Sequence, residues 1–340
     1  MTTTPQAAGY RQPAEWTPHR ACWVAWPSDE TLWSAPRVVQ RSFVEMCRGI
    51  AHAEPGKKGE QLEVLVRDEA ARTEAEAALH GLPVRFHVMT FGDIWMRDIA
   101  PVFLRDAQGT LASVRFRFNG WGGKYVYEGD DRVAEQVQGL LTLPRFASSL
   151  VCEGGAVESD GSGLCMTTRE VVLNENRNPG LSEGAAERAL AEALGADRVI
   201  WLGRGLLNDH TDGHIDNIAR FIGAGRALCM RAVESNDPNR EVLAEIEQTL
   251  ERAGLEVATI PSPGLVMGRD GRPIPASYLN FYIANCSVVV PTFGALQDDA
   301  ALAAIGQLFP GRTVFGVPAK VLLEEGGTVH CITQQEPTGS

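Results

Sequence analysis

The chain has 340 residues, of which 44% are hydrophobic and 22% charged, and its formal net charge is −12. This composition is typical of a globular protein with a sizeable core, and the acidic charge argues against binding to nucleic acid or to an anionic membrane surface while favouring cationic ligands. No apolar run approaches about 18 residues, so the sequence predicts no membrane span.

The N-terminus and the cysteines indicate the compartment. The opening residues, MTTTPQAAGYRQPAEW, lack the basic start and the apolar stretch of a secretory signal. The seven cysteines show no CxxC spacing, which favours reduced thiols over a disulfide framework or a structural zinc site. We therefore expect a cytoplasmic protein.

Short apolar runs of strand length alternate along the chain with amphipathic helical patterns. The predicted strands, in chain order, are ACWVAW, LEVLV, VRFHVM, SVRFRF, LCMTT, RVIWL, ALCM, FYIAN, SVVVP and TVFGV. The predicted helices cover 36–53, 68–80, 131–141, 183–194, Pro238–Ala253 and 298–308. The clearest is Pro238–Ala253, because Asp237 can cap its start and Gly254 follows its end.

The spacing of these elements indicates the fold class. A helix returns about every 50 to 60 residues with two or three strands between, which is not the one-to-one alternation of a doubly wound sheet. The pattern predicts an α/β fold that resembles a ring of repeated ββαβ modules. No linker or low-complexity stretch divides the chain, so we expect one domain over residues 1–340, with an ordered core over about 10–337.

Two short motifs carry candidate chemistry in the first half of the chain. In GDIWMRDIAP, an extended segment would place Met96 and Asp98 on one face, with Trp95 and Arg97 on the other. In CEGGAVESDGSG, Glu153 precedes two glycines, which permit either a close approach of the backbone or an ordinary turn. Each motif alone is equally compatible with a simple strand end or turn.

The segment NDHTDGHIDNIARF is more specific. His210, Asp212, His214 and Asp216 recur at period two, so an extended strand would place all four on one face. Four ionisable groups are costly to bury unless they serve a ligand, a metal or one another. A solvated strand face and a zinc or iron site therefore remain alternatives at this point.

The last motif is GGTVHCITQQEP. On a strand, His330 and Cys331 would face opposite sides, so a histidine partner for the thiol must come from elsewhere, and His214 is the natural candidate. A buried core thiol is the alternative for Cys331.

Taken together, these segments resemble the agmatine deiminase and bacterial-type peptidylarginine deiminase family of the guanidine-modifying, or pentein, superfamily. The resemblance covers nearly the whole chain and rests on PAEWTPHRACWVAWP, WMRDIAP, FNGWGGKY, EGGAVESDG, NRNPGLS, TDGHIDNIARF, ASYLNFYIAN, LFPGRTV and GGTVHCITQQEP. It implies a pentein α/β-propeller of five pseudo-symmetric ββαβ modules around a central channel, with no metal and no organic cofactor.

The resemblance also implies roles for individual residues. The family's nucleophile falls on Cys331 and its general acid/base on His214. The carboxylates that bind the guanidinium fall on Asp98 and Asp216, and Glu153 matches the acid that orients the histidine. The implied reaction is hydrolytic deimination of a guanidine substrate through a covalent thiouronium on Cys331.

Two tryptophans are candidate walls of the implied pocket. A planar cation stacks well on an aromatic face, and Trp95 and Trp121 lie within matching motifs. Within the family, FNGWGGKY, TDGHIDN and the QQ-P ending favour agmatine, giving N-carbamoylputrescine and ammonia, over free or peptidyl arginine. A shortened segment, VYEG, and Thr328, where Asn is common, are departures from the family pattern that fall where the substrate's far end would lie.

Two functions of other classes remain open from the sequence. One is a metallohydrolase that uses His210, Asp212, His214 and Asp216. The other is an inactive protein that sequesters polyamine-like cations. The expected partner is a small cationic guanidine, with no nucleic acid and no membrane, and a homo-oligomer is left open.

Overall fold

A computed structural model describes residues 3–339 of the chain. It contains sixteen strands, β1 to β16 in chain order: His19–Ala25, Gln61–Val66, Val84–Val88, Val102–Arg105, Leu111–Arg117, Arg145–Val151, Glu158–Ser159, Leu164–Thr168, Arg198–Leu202, Ala219–Gly223, Arg226–Arg231, Glu256–Pro261, Tyr282–Ile283, Ser287–Thr292, Thr313–Pro318 and Gln334–Pro337.

Eleven helical segments, α1 to α11, connect these strands. They are Pro36–Ile50, Glu69–Ala78, Met96–Ile99, Gly120–Gly123, Asp130–Leu140, Arg169–Val172, Glu183–Leu194, Arg240–Arg252, Asp298–Leu308, Lys320–Leu323 and Val329–Ile332. Three single 3-10 turns lie at Gln6–Ala8, Gly154–Ala156 and Ile215–Asn217. Within residues 3–339, no helix is both long and apolar enough to cross a membrane.

The strands form five separate sheets with a common pattern. Four sheets have three strands each, in the orders β4-β5-β6, β7-β8-β9, β10-β11-β12 and β13-β14-β15. In each, the first pair is antiparallel and the second parallel. A long helix, α5, α7, α8 or α9, connects the two parallel strands, as a parallel crossover requires. The predicted ββαβ modules are therefore confirmed.

The helix α8 shows how the sequence determines these crossovers. Its apolar positions, Val242, Leu243, Ile246 and Leu250, are buried against the sheet. Gly254 has a φ of 84°, the left-handed conformation that ends a helix and that glycine adopts without steric cost. The helix begins at Arg240 rather than at the predicted Pro238, because Asp237 instead accepts a hydrogen bond from the Asn239 backbone in the preceding turn.

The fifth sheet joins the two ends of the chain. Its order is β16-β1-β2-β3, so the last strand supplies the antiparallel edge of the first module. The Glu336 carboxylate accepts hydrogen bonds from Arg20 Nε at 2.5 Å and Trp23 Nε1 at 2.8 Å. Gln335 lies opposite Cys22 in the same ladder. The ring of modules is thus closed by hydrogen bonds between residues more than 300 positions apart, and Arg20 and Glu336 are separated by 316.

Of the two conformations considered for the segment around Asp98, the structure adopts the turn and not the extended form. Met96–Ile99 forms a helical turn in which the Asp98 N–H donates to the Trp95 carbonyl at 2.9 Å. Pro101 ends this turn, because a residue before proline disfavours helical geometry and Ala100 is extended with a ψ of 165°. The turn places Asp98 directly before β4.

The extended strand predicted for the alternating His and Asp residues of 210–216 is also wrong. Asp212 and Gly213 have φ values of 64° and 79°, which reverse the chain before β10. The 3-10 turn Ile215–Asn217 follows; His214 directly precedes it, Asp216 lies within it, and both side chains are fully buried. The two side chains come together through this turn and not through the period-two alternation of a strand.

The end of the chain is helical where a strand was predicted. Val329–Ile332 forms one helical turn, and the strand β16 begins only at Gln334. His330 Nδ1 and Cys331 Sγ both approach Asp216 Oδ2, at 2.7 Å and 3.9 Å, so the two side chains do not face opposite sides as they would on a strand. A strand, β16, does follow this turn, and it begins three residues after Cys331, the nucleophile candidate.

Deleting residues 327–340 should abolish cooperative unfolding, because the deletion removes β16 and opens the sheet that joins the chain ends. Urea unfolding followed by circular dichroism provides the measurement. Deleting only 338–340 is the matched control, since it removes one described hydrogen bond, from the Thr338 N–H to the Pro18 carbonyl. Equal stability of the longer truncation and the full chain would contradict the closing role of β16.

Candidate active site

A cavity of about 580 Å³ opens among the loops that connect the modules. Cys331 and Asp98 lie on its wall together with Trp95, Trp121 and Tyr125. Three further loops, at 208–211, 270–275 and 323–326, also line the cavity. Trp95 and Trp121, the two predicted aromatic walls, therefore line the cavity. Tyr127, the tyrosine of the short VYEG segment, lines it as well.

The Cys331 thiol is buried, with 5% of the residue exposed. Its Sγ lies 3.2 Å from Asn280 Nδ2 and 3.9 Å from Asp216 Oδ2. Burial, followed by the charges of Asp216 and Asp98, raises the pKa of the thiol well above its ordinary value. In the absence of a bound substrate cation, Cys331 is therefore a neutral thiol.

His214 lies between two acidic side chains and is fully buried. Its Nε2 is 3.5 Å from Glu153 Oε2 and its Nδ1 is 3.8 Å from Asp98 Oδ1. These contacts are electrostatic, and neither ring nitrogen has a hydrogen-bond partner within residues 3–339. Burial alone would lower the pKa of this imidazole, but Asp98, Glu153 and Asp216 together raise it to about 9. The ring is thus a cation at neutral pH.

Asp98 is held through both of its oxygens. Trp121 Nε1 donates to Oδ2 at 2.8 Å, and the Gly155 N–H donates to Oδ1 at 3.0 Å. Burial is the main cause that raises the pKa of Asp98, although His214 opposes it. The arrangement fixes the plane of the carboxylate beside the general acid/base candidate.

Asp216 differs from Asp98 in having one unused oxygen. Its Oδ2 lies 2.7 Å from His330 Nδ1, whereas Oδ1 is buried and has no hydrogen-bond partner in the described part of the chain. Burial would raise the pKa of Asp216, but the hydrogen bond and charge of His330 outweigh it and lower the pKa. Asp216 is therefore ionised and presents one free acceptor.

Glu153 is positioned by a buried arginine. Arg177 Nε lies 2.9 Å and 3.0 Å from the two Glu153 oxygens. Burial would raise the pKa of Glu153, but His214 and Arg177 outweigh it and lower the pKa. Arg177 Nη1 continues to Asp212 Oδ2 at 2.6 Å, which Lys124 also contacts at 2.7 Å. Asp212 thus supports Arg177 from the partly exposed side.

The two glycines after Glu153 are required by close approach. A Cβ on Gly154 would lie 2.1 Å from the Arg97 carbonyl oxygen. A Cβ on Gly155 would lie 2.6 Å from His214 Nδ1 and 2.9 Å from Asp98 Oδ1. Of the two sequence interpretations, close approach of the backbone is therefore the one the structure supports.

Asn280 is a site residue whose role the sequence left undefined, although it stands in the motif ASYLNFYIAN. Its Oδ1 accepts hydrogen bonds from Thr328 Oγ1 at 2.5 Å and from the His330 N–H at 3.0 Å. Its Nδ2 faces the Cys331 sulfur and also bonds to Asn217 Oδ1 at 3.0 Å. Asn280 thus fixes the turn that carries the thiol, and Thr328 supports Asn280 instead of lining the cavity.

The four proposed metal ligands do not form a metal-binding cluster. Across residues 3–339, the one group of potential ligands whose atoms lie within 4.8 Å of one another is Glu15, Glu158 and His330. It contains none of His210, Asp212, His214 and Asp216. Asp212 is bound instead by Arg177 and Lys124, so the geometry does not support the metallohydrolase alternative.

Five modules surrounding a cysteine, a histidine and three carboxylates define a guanidine-modifying protein of the pentein type. Residues 11–337 match the model of the Porphyromonas-type peptidyl-arginine deiminase family, and the chain belongs to that family. The resemblance inferred from the sequence motifs is confirmed.

Named relatives of the chain are agmatine deiminases. One from Stutzerimonas stutzeri is 36% identical over 370 residues, which cover 99% of this chain and 98% of the relative. One from Pseudomonas aeruginosa is 35% identical over 367 residues, with 99% and 98% covered. A solved structure of the Enterococcus faecalis agmatine deiminase matches with a TM-score of 0.91 at 30% identity, covering 99% of this chain and 98% of that one.

Proposed function

We propose that the protein hydrolyses agmatine to N-carbamoylputrescine and ammonia, with Cys331 as nucleophile and His214 as general acid/base. The observation that carries the proposal is a set of buried polar atoms beside the thiol. Both His214 nitrogens and Asp216 Oδ1 lack hydrogen-bond partners among the described residues. Because an unpaired buried acceptor is costly, Asp216 Oδ1 points to a ligand that donates a hydrogen bond there. The two His214 nitrogens instead face the carboxylates of Asp98 and Glu153 at 3.8 Å and 3.5 Å. A guanidinium, which has only N–H donors, meets the requirement when it lies between Asp98 and Asp216.

The first chemical step is formation of a bond between sulfur and the guanidinium carbon. The two carboxylates fix the guanidinium plane and expose its carbon to Cys331. The bound cation offsets the negative charges that keep the thiol protonated, so substrate favours the thiolate, and the thiol proton leaves to solvent. Attack gives a tetrahedral adduct. His214, a cation in the free protein, protonates one nitrogen, which departs as ammonia and leaves a thiouronium on Cys331.

The second step is hydrolysis of the thiouronium. His214 is now neutral and accepts a proton from water as the water oxygen attacks the same carbon. The new adduct then collapses: the carbon–sulfur bond breaks, Cys331 leaves as thiolate, and the hydroxyl proton is lost to solvent as the neutral urea product forms. Glu153, held by Arg177, keeps the imidazole oriented in both steps.

The charges around the cavity favour a substrate whose far end is an amine. Five acidic side chains outside the catalytic group line it, at Asp93, Asp209, Asp270, Glu324 and Glu325, against one arginine, Arg272. Burial raises the pKa of Asp93 to about 7, so this carboxyl is only partly ionised at neutral pH. Glu324 and Glu325 are partly compensated by Arg269. The remaining negative charge favours the terminal ammonium of agmatine and disfavours the carboxylate of free arginine.

A substrate comparison tests the proposal. Ammonia release is measured with agmatine, free arginine and a blocked arginine peptide, and mass spectrometry identifies the product. We expect the highest kcat/KM with agmatine. A higher kcat/KM with free or peptidyl arginine would assign the protein to arginine deimination instead of agmatine deimination. No ammonia release from any of the three guanidines would favour the inactive, cation-sequestering protein.

The pH dependence of kcat/KM should show that the thiol ionises only with substrate. The free protein holds a proton on Cys331 and on His214, whose pKa is about 9, whereas the productive complex holds a thiolate and an imidazolium. One proton must therefore leave, so kcat/KM should rise up to about tenfold per pH unit and level off near 9, where His214 itself deprotonates. A profile that is flat from neutral pH and then falls would show a thiolate–imidazolium pair in the free enzyme.

The cysteines support a reducing compartment. All seven are free and buried, and none is joined in a disulfide. The mechanism also needs Cys331 as a reduced thiol. We therefore propose that the protein works in the cytoplasm.

A further inference from the structure

His330 is a buried histidine beside the nucleophile that the mechanism above does not use. Only 1% of the residue is exposed. Its Nδ1 lies 2.7 Å from Asp216 Oδ2, and its Nε2 lies 2.8 Å from Glu15 Oε2. Both ring nitrogens therefore face carboxylate oxygens, which accept hydrogen bonds and, when ionised, cannot donate them.

Glu15 has no capacity left to donate a proton to the ring. Its Oε1 accepts the Ile283 N–H at 2.8 Å, and its Oε2 also accepts from Arg220 Nη2 at 2.8 Å. Arg97 Nη2 lies 3.7 Å away. Burial would raise the pKa of Glu15, but Arg220, His330 and Arg97 outweigh it and lower the pKa well below its ordinary value. Glu15 is therefore a carboxylate.

Arg220 completes a chain of alternating charges behind Glu15. The arginine is fully buried, bonds through Nε to Glu158 at 3.1 Å and through Nη1 to the carbonyls of Leu279 and Phe281. Its guanidinium already lies between Glu15 and Glu158. The group of Glu15, Glu158 and His330 therefore has a cation from the protein itself and needs no metal ion. The charges thus alternate along Asp216, His330, Glu15 and Arg220, whereas burial raises the pKa of Glu158 at the end of this chain.

We propose that His330 is a positioning residue for the deimination, an imidazolium that donates through both nitrogens and holds Asp216 ionised with Oδ1 free for the substrate cation. The inference rests on the proposed function of the site. Asp216, His330 and Glu15 together keep a single net negative charge, so the group still attracts a guanidinium. His214 Nδ1 and Asp98 Oδ1 lie with Asp216 Oδ2 around Gly155, Cys331 Sγ lies 3.9 Å from Asp216 Oδ2, and Arg220 and Arg97 face Glu15.

The position of His330 explains why a cation is needed there. A carboxylate as buried as Asp216 would take up a proton if it had no partner, and a protonated carboxyl would bind the guanidinium weakly. A hydrogen bond from a neutral donor would orient Oδ2 but would not supply the charge. The two effects can be separated by side chains that reproduce one nitrogen at a time.

The experiment uses His330→Asn and His330→Gln in the full chain. Asparagine can place an amide donor near the position of Nδ1, toward Asp216, whereas glutamine reaches the position of Nε2, toward Glu15. Both remove the charge. His19→Gln is the matched control, because His19 is a buried histidine whose Nδ1 contacts Glu60 at 2.9 Å outside the cavity.

Alkylation of Cys331 by two small reagents provides a measurement that does not require turnover. 2-Chloroacetamidine carries an amidinium and 2-chloroacetamide is its neutral counterpart, and in both the sulfur displaces chloride. We expect the amidine-to-amide rate ratio to fall at least about tenfold in His330→Gln, less in His330→Asn, and not at all in His19→Gln. In steady-state kinetics the loss should appear in KM for agmatine as well as in kcat, and the kcat/KM profile should move to higher pH.

The results separate positioning from a purely structural role. If folded His330 variants keep the wild-type rate ratio and pH profile and lose only thermal stability, His330 merely anchors the chain end and the proposal is overturned. If the variants do not fold, nuclear magnetic resonance of wild-type protein labelled with 15N-histidine at neutral pH tests the proposal directly. We expect the signals of one imidazole ring whose two N–H groups are both hydrogen-bonded, and the same signals in His214→Asn, since they belong to His330. The absence of these signals overturns the proposal. Failure of the proposed function would instead appear as absent ammonia release by the wild type.

Discussion

Replacing Cys331 with alanine should abolish ammonia release while leaving the protein folded. Without the sulfur nucleophile no thiouronium can form, so we expect turnover to fall by several orders of magnitude. The thiol is small, and its loss should cost only about 1 to 2 kcal/mol of unfolding free energy. Steady-state ammonia release and thermal unfolding are the two measurements. Agmatine binding should persist, because Asp98 and Asp216 remain.

The control for this variant is another buried thiol. Cys229 lies within β11, is fully buried and does not line the cavity. Cys229→Ala should lose a similar unfolding free energy yet keep its activity. Residual activity above about a tenth in Cys331→Ala would exclude the covalent mechanism.

Replacing Asp216 with asparagine should lower kcat/KM by about two to four orders of magnitude, because removing one partner of a buried charge pair costs about 3 to 5 kcal/mol. The amide oxygen can face His330 while its nitrogen takes the place of Oδ1, so the shape is kept and the charge is lost. Asp98→Asn should be at least as damaging. Both Asp98 oxygens accept from N–H groups, and an amide nitrogen would face one of these donors. Kinetics with agmatine provide the measurement.

Asp212→Asn is the matched control for the two carboxylate variants. Asp212 contacts Arg177 and Lys124 and does not line the cavity, so its loss should be distinctly milder. All three variants are assayed with and without EDTA, which should have no effect. Chelator-sensitive activity with a mild Asp98→Asn would favour a metal site over a guanidinium site.

The module pattern was predictable because it depends on local signals. Strand-length apolar runs and amphipathic helices such as α8 follow from side-chain periodicity, and glycines such as Gly254 mark helix ends. The closing pair of β1 and β16 was not visible in this way, since its partners lie at opposite ends of the chain. No local pattern in QQEP, the sequence of β16, identifies HRACWVA, the sequence of β1, as its pairing partner.

The candidate site was predictable in its residues but not in its backbone. The motifs identified Cys331, His214, Asp98, Asp216 and Glu153, and the structure brings them to one place. Strand periodicity was used to group the side chains of 210–216 and 330–331 and was one of two possibilities at Asp98, but short turns position all of these side chains. A turn of three or four residues leaves no periodic signal, and at 210–216 the reversal depends on φ values that the letters do not specify.

Arg177 and Asn280 show what motif reasoning leaves out. Arg177 is fully buried against Glu153, and Asn280 bonds to the turn of Cys331. Both stand in quoted motifs, NRNPGLS and ASYLNFYIAN. Their function depends on contacts across more than one module, so only the assembled ring reveals it.

The closure of the ring by β16 has a consequence for refolding. Loop-closure entropy disfavours contacts between distant parts of a chain, so the β1–β16 ladder should form late, after modules whose strands are close in sequence. Cys331 lies three residues before β16 and reaches Asn280 only when this end is in place. Secondary structure should therefore recover before enzyme activity. The delay between the two signals would measure how long β1 and β16 take to pair.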